Sequence, residues 1–216
     1  RASWLVALSA SDGAGPAHDG GGRATRLAVP ALTQMTEPEA VRLRICSPAS
    51  VAMVLRYWGH APSVAAVAAA VFHPAHDLYG VWPAAIRVAA RYGIAGYLLR
   101  FPDWGAAVWC LAQGMPLIAS IRYAEGEVEG APIGRTDGHL VVVTGCDGET
   151  VLVNDPAALT VREVPRRYRL EQFRRAWLDR GGVGYVLFKP ALDRSSIKQD
   201  PSGRSPRRRG TRPRGC

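Results

Sequence analysis

Two apolar runs, Leu140-Val141-Val142-Val143 and Val151-Leu152-Val153, flank Cys146-Asp147-Gly148 and commit the middle of this chain to an antiparallel hairpin. Their β-branched side chains suit a pleated, buried surface, and the glycine permits the tight reversal between them. A three-residue loop with Gly148 in the left-handed conformation pairs Gly145 with Glu149. His139 then stands directly opposite Asp155 on one sheet face, with Cβ atoms about 4.5–5.5 Å apart. A two-residue Asp-Gly turn would slip every side chain by one face and bring Asn154 beside His139 instead. The three-residue reading is preferred, because Gly148 suits the third loop position and a carboxylate steadies an imidazolium. Asn154 stays open as the alternative, since an amide can also orient an imidazole. Taken singly, His139 is equally an ordinary strand-start histidine, and Asp155-Pro156 a strand-ending turn.

A second local pattern places a thiol at a helix start. In Cys46-Ser47-Pro48-Ala49-Ser50, Ser47 can cap, Pro48 suits the first helical position, and Gly59 supplies the stop. Apolar residues at 51, 54, 55 and 58 mark one buried helical face. A sulfur beside unsatisfied backbone N–H groups feels the positive end of the helix dipole, which favours the thiolate. The thiolate is the nucleophilic form, so this placement suits covalent chemistry. On its own it describes a packed cysteine equally well.

The chain has 216 residues, 48% of them hydrophobic, enough for one sizeable core. No apolar run approaches the eighteen or so residues of a membrane-crossing helix, and no basic-then-apolar leader is visible. Because the chain starts at Arg1 rather than Met, it reads as a fragment that can lack a leader. Cys46, Cys110, Cys146 and Cys216 form no CxxC pair, which argues against a zinc site or a disulfide framework; neither metal nor cofactor is expected. Of the net charge of +9, eight Lys/Arg and two Asp in residues 191–216 account for +6. That tail lacks apolar periodicity and is expected to be disordered. Its charge suits nucleic acid or an anionic surface. No groove-reading or aromatic-interleaved pattern accompanies it, so a solvated tail without a partner is the preferred reading.

The rest of the chain divides at its glycines, prolines and caps. Residues 4–10 read as a strand and 11–22 as a glycine-rich loop. Ser63 caps a helix to about residue 71, a loop follows at 73–77, and a helix covers 82–92 up to Gly93. Residues 94–101 form a strand, 104–112 a helix ended by Gly114, and 116–123 a buried strand. A loop spans 125–138, then the hairpin strands 139–144 and 150–155. Residues 161–164 read as a strand, 170–178 as a helix and 184–188 as a closing strand. Helices first and antiparallel strands later make an α+β chain. His73 and His76 beside Asp77 superficially resemble metal spacing, but Pro74 breaks any helix that would align them. Cys110 reads as a packed thiol, Cys146 as a turn residue, and Trp82, Trp104 and Trp109 as core.

Four blocks together carry a resemblance: Gln34; Cys46-Ser47-Pro48-Ala49-Ser50-Val51-Ala52-Met53; Gly138-His139-Leu140-Val141-Val142-Val143-Thr144-Gly145; and Val153-Asn154-Asp155-Pro156-Ala157. The chain resembles the papain-like cysteine peptidases of family thirty-nine, relatives of the bacteriocin-leader peptidases, in their stand-alone branch. The likeness runs from about Val29 to Lys189, and Tyr168, Phe173 and Trp177 add to it. It implies a papain-like α+β fold in which a helical part carrying the nucleophile packs on an antiparallel sheet carrying His and Asp. It divides the chain into an N-terminal segment 1–28, a peptidase-like domain 29–190 and the basic tail 191–216. It also implies Cys46 as nucleophile, His139 as general base and acid, and Asp155 as orienting carboxylate. Gln34 would share an oxyanion hole with the Cys46 N–H, where an amide donor is worth roughly 3–4 kcal/mol of barrier.

The expected activity is hydrolysis of a peptide or related amide in a peptide or protein substrate, through a thioester on Cys46. An acyl transferase would use the same residues, with an amine in place of water. An inactive peptide-binding relative is the third reading, disfavoured because binding needs neither Cys46 nor His139. Transporter-fused members of the family carry membrane and nucleotide-binding parts. Here no phosphate-cradling Gly-rich Lys motif is present, so leader export finds no support.

Overall fold

The structure, a computed structural model, describes residues 25–190. The expected strand 4–10, the loop 11–22 and the basic tail 191–216 lie outside them. The architecture is a seven-stranded antiparallel sheet between two sets of helices. Strands β1 (Thr25–Arg26), β2 (Ala95–Arg100), β3 (Leu117–Tyr123), β4 (Thr136–Asp147), β5 (Thr150–Asn154), β6 (Pro165–Arg169) and β7 (Val183–Phe188) run in the order β2-β7-β3-β4-β5-β6. Strand β1 pairs with β4 outside this path.

Helices α2 (Cys46–Tyr57), α3 (Val64–Val71) and α4 (Trp82–Arg91) pack on one face, against Ile118, Leu140, Val142, Tyr185 and Leu187. Helices α5 (Trp104–Ala112) and α6 (Leu170–Trp177) cover the other, against Leu117, Ala119, Val141, Val143, Val151 and Val153. Successive strand side chains point to opposite faces. A sheet covered on both faces therefore needs unbroken apolar runs, and Leu140-Val141-Val142-Val143 is one. A short α1 (Glu39–Arg42) lies in the segment leading to α2.

Helices expected at 82–92, 104–112 and 170–178 are present, as are the strands expected at 94–101, 116–123 and 184–188, with ends shifted by no more than two residues. Ser63 caps α3, its hydroxyl accepting from the Ala66 N–H at 3.1 Å. Residues 161–164 correct the expectation. They hold a 3-10 turn, Val161–Glu163, locked by the Glu163 carboxylate accepting from the Thr160 N–H and hydroxyl at 3.1 and 3.0 Å. The strand lies just beyond, in β6, whose Pro165 and three arginines do not read as one. Those residues suit an edge, where charge and proline discourage further pairing.

The hairpin register also differs from the expected one. Asp147 pairs with Thr150, so Gly148 (φ +57°) and Glu149 form a two-residue turn. The register then shifts between Val143 and Gly145, where Thr144 is extra in β4. The observed turn shifts the pairing by three residues from the expected register and the bulge takes one back. The net shift of two is even, so His139 and Asp155 keep a shared face, although they are not directly opposite as expected. Strand β1 explains the bulge. The Leu27 N–H donates to the Thr144 carbonyl at 2.7 Å, and a Cβ at Gly145 would collide with the Thr25 backbone.

Candidate active site

The β4–β5 ladder closes at Val142 and Asn154, leaving His139 and Leu140 without a β5 partner. Helix α2 takes that place. The Ser50 hydroxyl donates to the Leu140 carbonyl at 3.2 Å, and the Leu140 N–H points at the Cys46 sulfur. Cys46 is the first residue of α2 and is half-buried, while residues 47–55 are all buried. Two expectations about this helix are corrected. It is buried on all sides rather than along one face, and it begins two residues before Pro48. Ser47 is no cap; its hydroxyl shares a 2.9 Å hydrogen bond with that of Tyr185. The Ser47 N–H, orphaned in the first turn, is instead satisfied by the sulfur.

His139 is buried, and its Nε2 lies 2.7 Å from Asp155 Oδ1. The nitrogen left for the Cys46 thiol is Nδ1, and the ring and sulfur are hydrogen-bonded. Asn154 turns away, its Nδ2 donating to the Val29 carbonyl at 3.0 Å and tying β5 to the chain after β1. Asp155 is saturated: Oδ1 accepts from the Ala157 N–H at 3.0 Å, and Oδ2 from the Tyr168 hydroxyl at 2.8 Å. Tyr168, Ser50 and Leu140 thus join a site that the sequence motifs did not assign to them. From the sequence, Tyr168 was legible only as one of the aromatics that add to the family likeness.

Electrostatics couple the three groups. Burial pushes the Cys46 thiol up, but the hydrogen bond and positive charge of His139, with the Leu140 and Ser47 N–H groups, outweigh it and hold it below the ordinary value. Burial depresses His139, yet the Asp155 charge and hydrogen bond, with the Cys46 contact, raise it to about 10. For Asp155, burial is overcome by His139, the Ala157 N–H and Tyr168, and its carboxyl titrates low. These shifts favour a thiolate–imidazolium pair backed by a carboxylate, the form competent to attack a carbonyl.

Gln34 is buried on the loop before α1. Its N–H and the Thr33 hydroxyl both reach the Pro156 carbonyl, at 2.9 and 3.2 Å, and the Thr33 hydroxyl also reaches the Ala158 carbonyl. Gln34 is therefore strapped to the loop after Asp155. Its Nε2 donates to the Arg42 carbonyl at 2.7 Å, four residues before Cys46, while Oε1 is buried without a partner.

Residues set aside in the sequence fall elsewhere. His73 and His76 stack with centroids 4.8 Å apart in a loop held by an Arg44–Asp77 ion pair of 2.8 Å. Trp104 packs on the core, but Trp109 is half exposed on α5, which corrects its reading as core. Cys146 is no turn residue; it is a buried free thiol in β4. Burial raises the thiols of Cys110 and Cys146. Cys46 is therefore expected to react with iodoacetamide about tenfold or more faster than either near pH 7. Site-mapped alkylation rates check this, and equal rates in the folded protein would contradict it.

Among the described residues, no helix is long and apolar enough to cross a membrane. Similar solved structures include a Bacillus anthracis protein classed as a C39-like peptidase, with TM-score 0.59 and 19% identity, covering 79% of this chain and 100% of that one. A double glycine motif protease from an AMS/PCAT transporter, in complex with the leader peptide, gives TM-score 0.52 and 20% identity, covering 76% and 94%. The peptidase domain of Streptococcus ComA, a bifunctional ABC transporter of a quorum-sensing pathway, gives 0.53 and 16%, covering 75% and 99%. These likenesses establish a cysteine peptidase fold. No curated protein matches the chain. A sequence model described as Peptidase_C39 like family matches residues 26–185, most of the chain and all of the elements that build the Cys46–His139–Asp155 cluster, and the chain belongs to that family.

Proposed function

We propose that this protein is a cysteine peptidase that hydrolyses a peptide or related amide bond through a thioester on Cys46. The observation that carries the reading is the buried imidazole of His139, which meets Asp155 at 2.7 Å through Nε2 and the helix-start thiol through its other nitrogen. Cys46 Sγ attacks the carbonyl carbon, and the C=O π pair moves to oxygen. The Cys46 N–H and the Gln34 amide stabilise that oxyanion. Collapse of the tetrahedral intermediate breaks the C–N bond, and the His139 imidazolium protonates the departing amine. Neutral His139 then takes a proton from water, whose oxygen attacks the thioester, and the thiol leaves as the acid is released. Asp155 keeps the ring oriented and its cation stable throughout.

A peptide is the proposed substrate class, supported by the leader peptide bound to the AMS/PCAT relative. The domain is proposed to span residues 29–190. A thiol-directed electrophilic activity probe is expected to label wild type at Cys46 alone. Label should be lost in Cys46→Ala and strongly reduced in His139→Ala. Undiminished labelling of His139→Ala would contradict the reading.

A further inference from the structure

Behind the Cys46–His139 pair, Asp155 is anchored from β6, and nothing in the proposed reaction requires that anchor. Tyr168 is the one aromatic side chain of β6. It is paired with Val151 in the ladder and is almost wholly buried, as is Asp155. Its hydroxyl donates to Oδ2 at 2.8 Å, on the oxygen that His139 does not use. The phenol ring lies against Phe173 of α6, centroids 6.4 Å apart, so the donor is held from behind as well. A carboxylate with a single anchored oxygen can rotate about its Cβ–Cγ bond. With Ala157 N–H on one oxygen and Tyr168 on the other, rotation is closed off and Oδ1 stays on the imidazole.

The other charged and titratable groups around this carboxylate do not substitute for Tyr168. Tyr123 of β3 senses the charge of Asp155, but its hydroxyl is spent on the Ile133 carbonyl at 3.0 Å. Arg166 of β6 is half-buried and donates to the Gly130 carbonyl at 2.7 Å. His139 of β4 takes Oδ1, and Cys46 of α2 acts through His139.

We infer that Tyr168 is a positioning residue for this site, holding Asp155 by its second oxygen and setting how firmly the carboxylate supports the His139 imidazolium. The inference rests on the reading of Cys46, His139 and Asp155 as the reacting set. A hydrogen bond donated to a carboxylate favours its ionised form. Without it Oδ1 is free to leave Nε2, the imidazolium loses the support that holds its proton, and the ring gives that proton up at lower pH. Burial and the Asp155 charge both hold the Tyr168 phenol far above its ordinary range, so it is a donor across the working pH range.

The test is the pH dependence of Cys46 alkylation by iodoacetamide, on the full chain, with mass-spectrometric mapping of the site. Tyr168→Phe is expected to move the alkaline step of the rate, where His139 loses its proton, downward by about one pH unit. Tyr123→Phe, which removes no donor from Asp155, is expected to leave it in place. Should Tyr168→Phe fold poorly, a fluorinated tyrosine at position 168 keeps the shape while changing the strength of the donated hydrogen bond, and it is expected to shift the same alkaline step. A melting temperature that falls while the alkaline step stays fixed, or a fluorinated variant that shifts nothing, would overturn the inference and leave Tyr168 as packing alone. The assay needs no substrate. A Tyr168-dependent alkaline step in a protein that cleaves no peptide would sink the peptidase reading and uphold the positioning role.

Discussion

Alanine at position 139 is expected to lower kcat/KM for peptide hydrolysis by about 10³–10⁴-fold, the range for losing a positioned general base. The loss has two parts. The thiol is no longer drawn below its ordinary value, so the thiolate fraction at neutral pH falls. The departing amine also has no proton donor. The same change leaves the Asp155 charge in the core without its counter-ion, held only by the Ala157 N–H and the Tyr168 hydroxyl. Removing one member of a buried charge pair costs roughly 3–5 kcal/mol, so the folded fraction must be measured alongside the rate. His139→Gln, which keeps a polar side chain near Asp155, separates the two effects. It should recover stability without recovering turnover.

The second large effect is at Asp155. Asp155→Asn keeps the shape but replaces one oxygen with an NH₂. The remaining oxygen cannot serve the Ala157 N–H, His139 and the Tyr168 hydroxyl together, and an amide does not stabilise a cation as a carboxylate does. Hydrogen bonds to charged groups contribute about 1.5–3 kcal/mol each, so a fall of about 10²-fold in kcat/KM is expected. Asn154→Ala removes only the tie to Val29 and is expected to lower the melting temperature with little change in rate. Equal rate losses at the two positions would contradict the assignment of Asp155.

Both changes bear on the pH profile. The active form needs the thiol ionised and the imidazole protonated. It appears as pH rises through the lowered Cys46 value and disappears as pH rises through the His139 value of about 10. A plateau between the two follows, and in Asp155→Asn its alkaline edge is expected to retreat to lower pH. The linked stability runs in opposite directions with pH for the two groups. The raised His139 contributes stability in full below its unfolded value near 6.5, and loses it as pH rises toward about 10. The lowered Asp155 contributes above its unfolded value and loses it in acid.

Much of this site was legible because the residues that make it are locally patterned. Cys46 begins an apolar helix, and His139 lies near the start of one strand of a hairpin whose other strand ends just before Asp155. The partner of His139 was read correctly from a turn that is not the one formed. Face is a matter of odd or even register, and the Thr144 bulge restores the parity that the two-residue turn removes. Nothing local announces that bulge, because its cause is the approach of β1 from more than a hundred residues away. The helix boundary failed for a related reason. Ser47 reads as a cap until Tyr185, on β7, claims its hydroxyl. Strand β6 was missed because Pro165, Arg166, Arg167 and Arg169 are edge chemistry, with Tyr168 alone facing inward. The anchor on Asp155 was hidden with it.

The central claim is that Cys46 forms a thioester that water resolves. The most direct measurement incubates the full chain with a degenerate peptide library in heavy-oxygen water, then maps the protein and the products by mass spectrometry after acid quench. The account predicts an acyl adduct on Cys46, new peptide carboxylates carrying the heavy oxygen, and neither in Cys46→Ala. Cleavage that persists in Cys46→Ala, or products joined to an amine with no heavy oxygen, would contradict it.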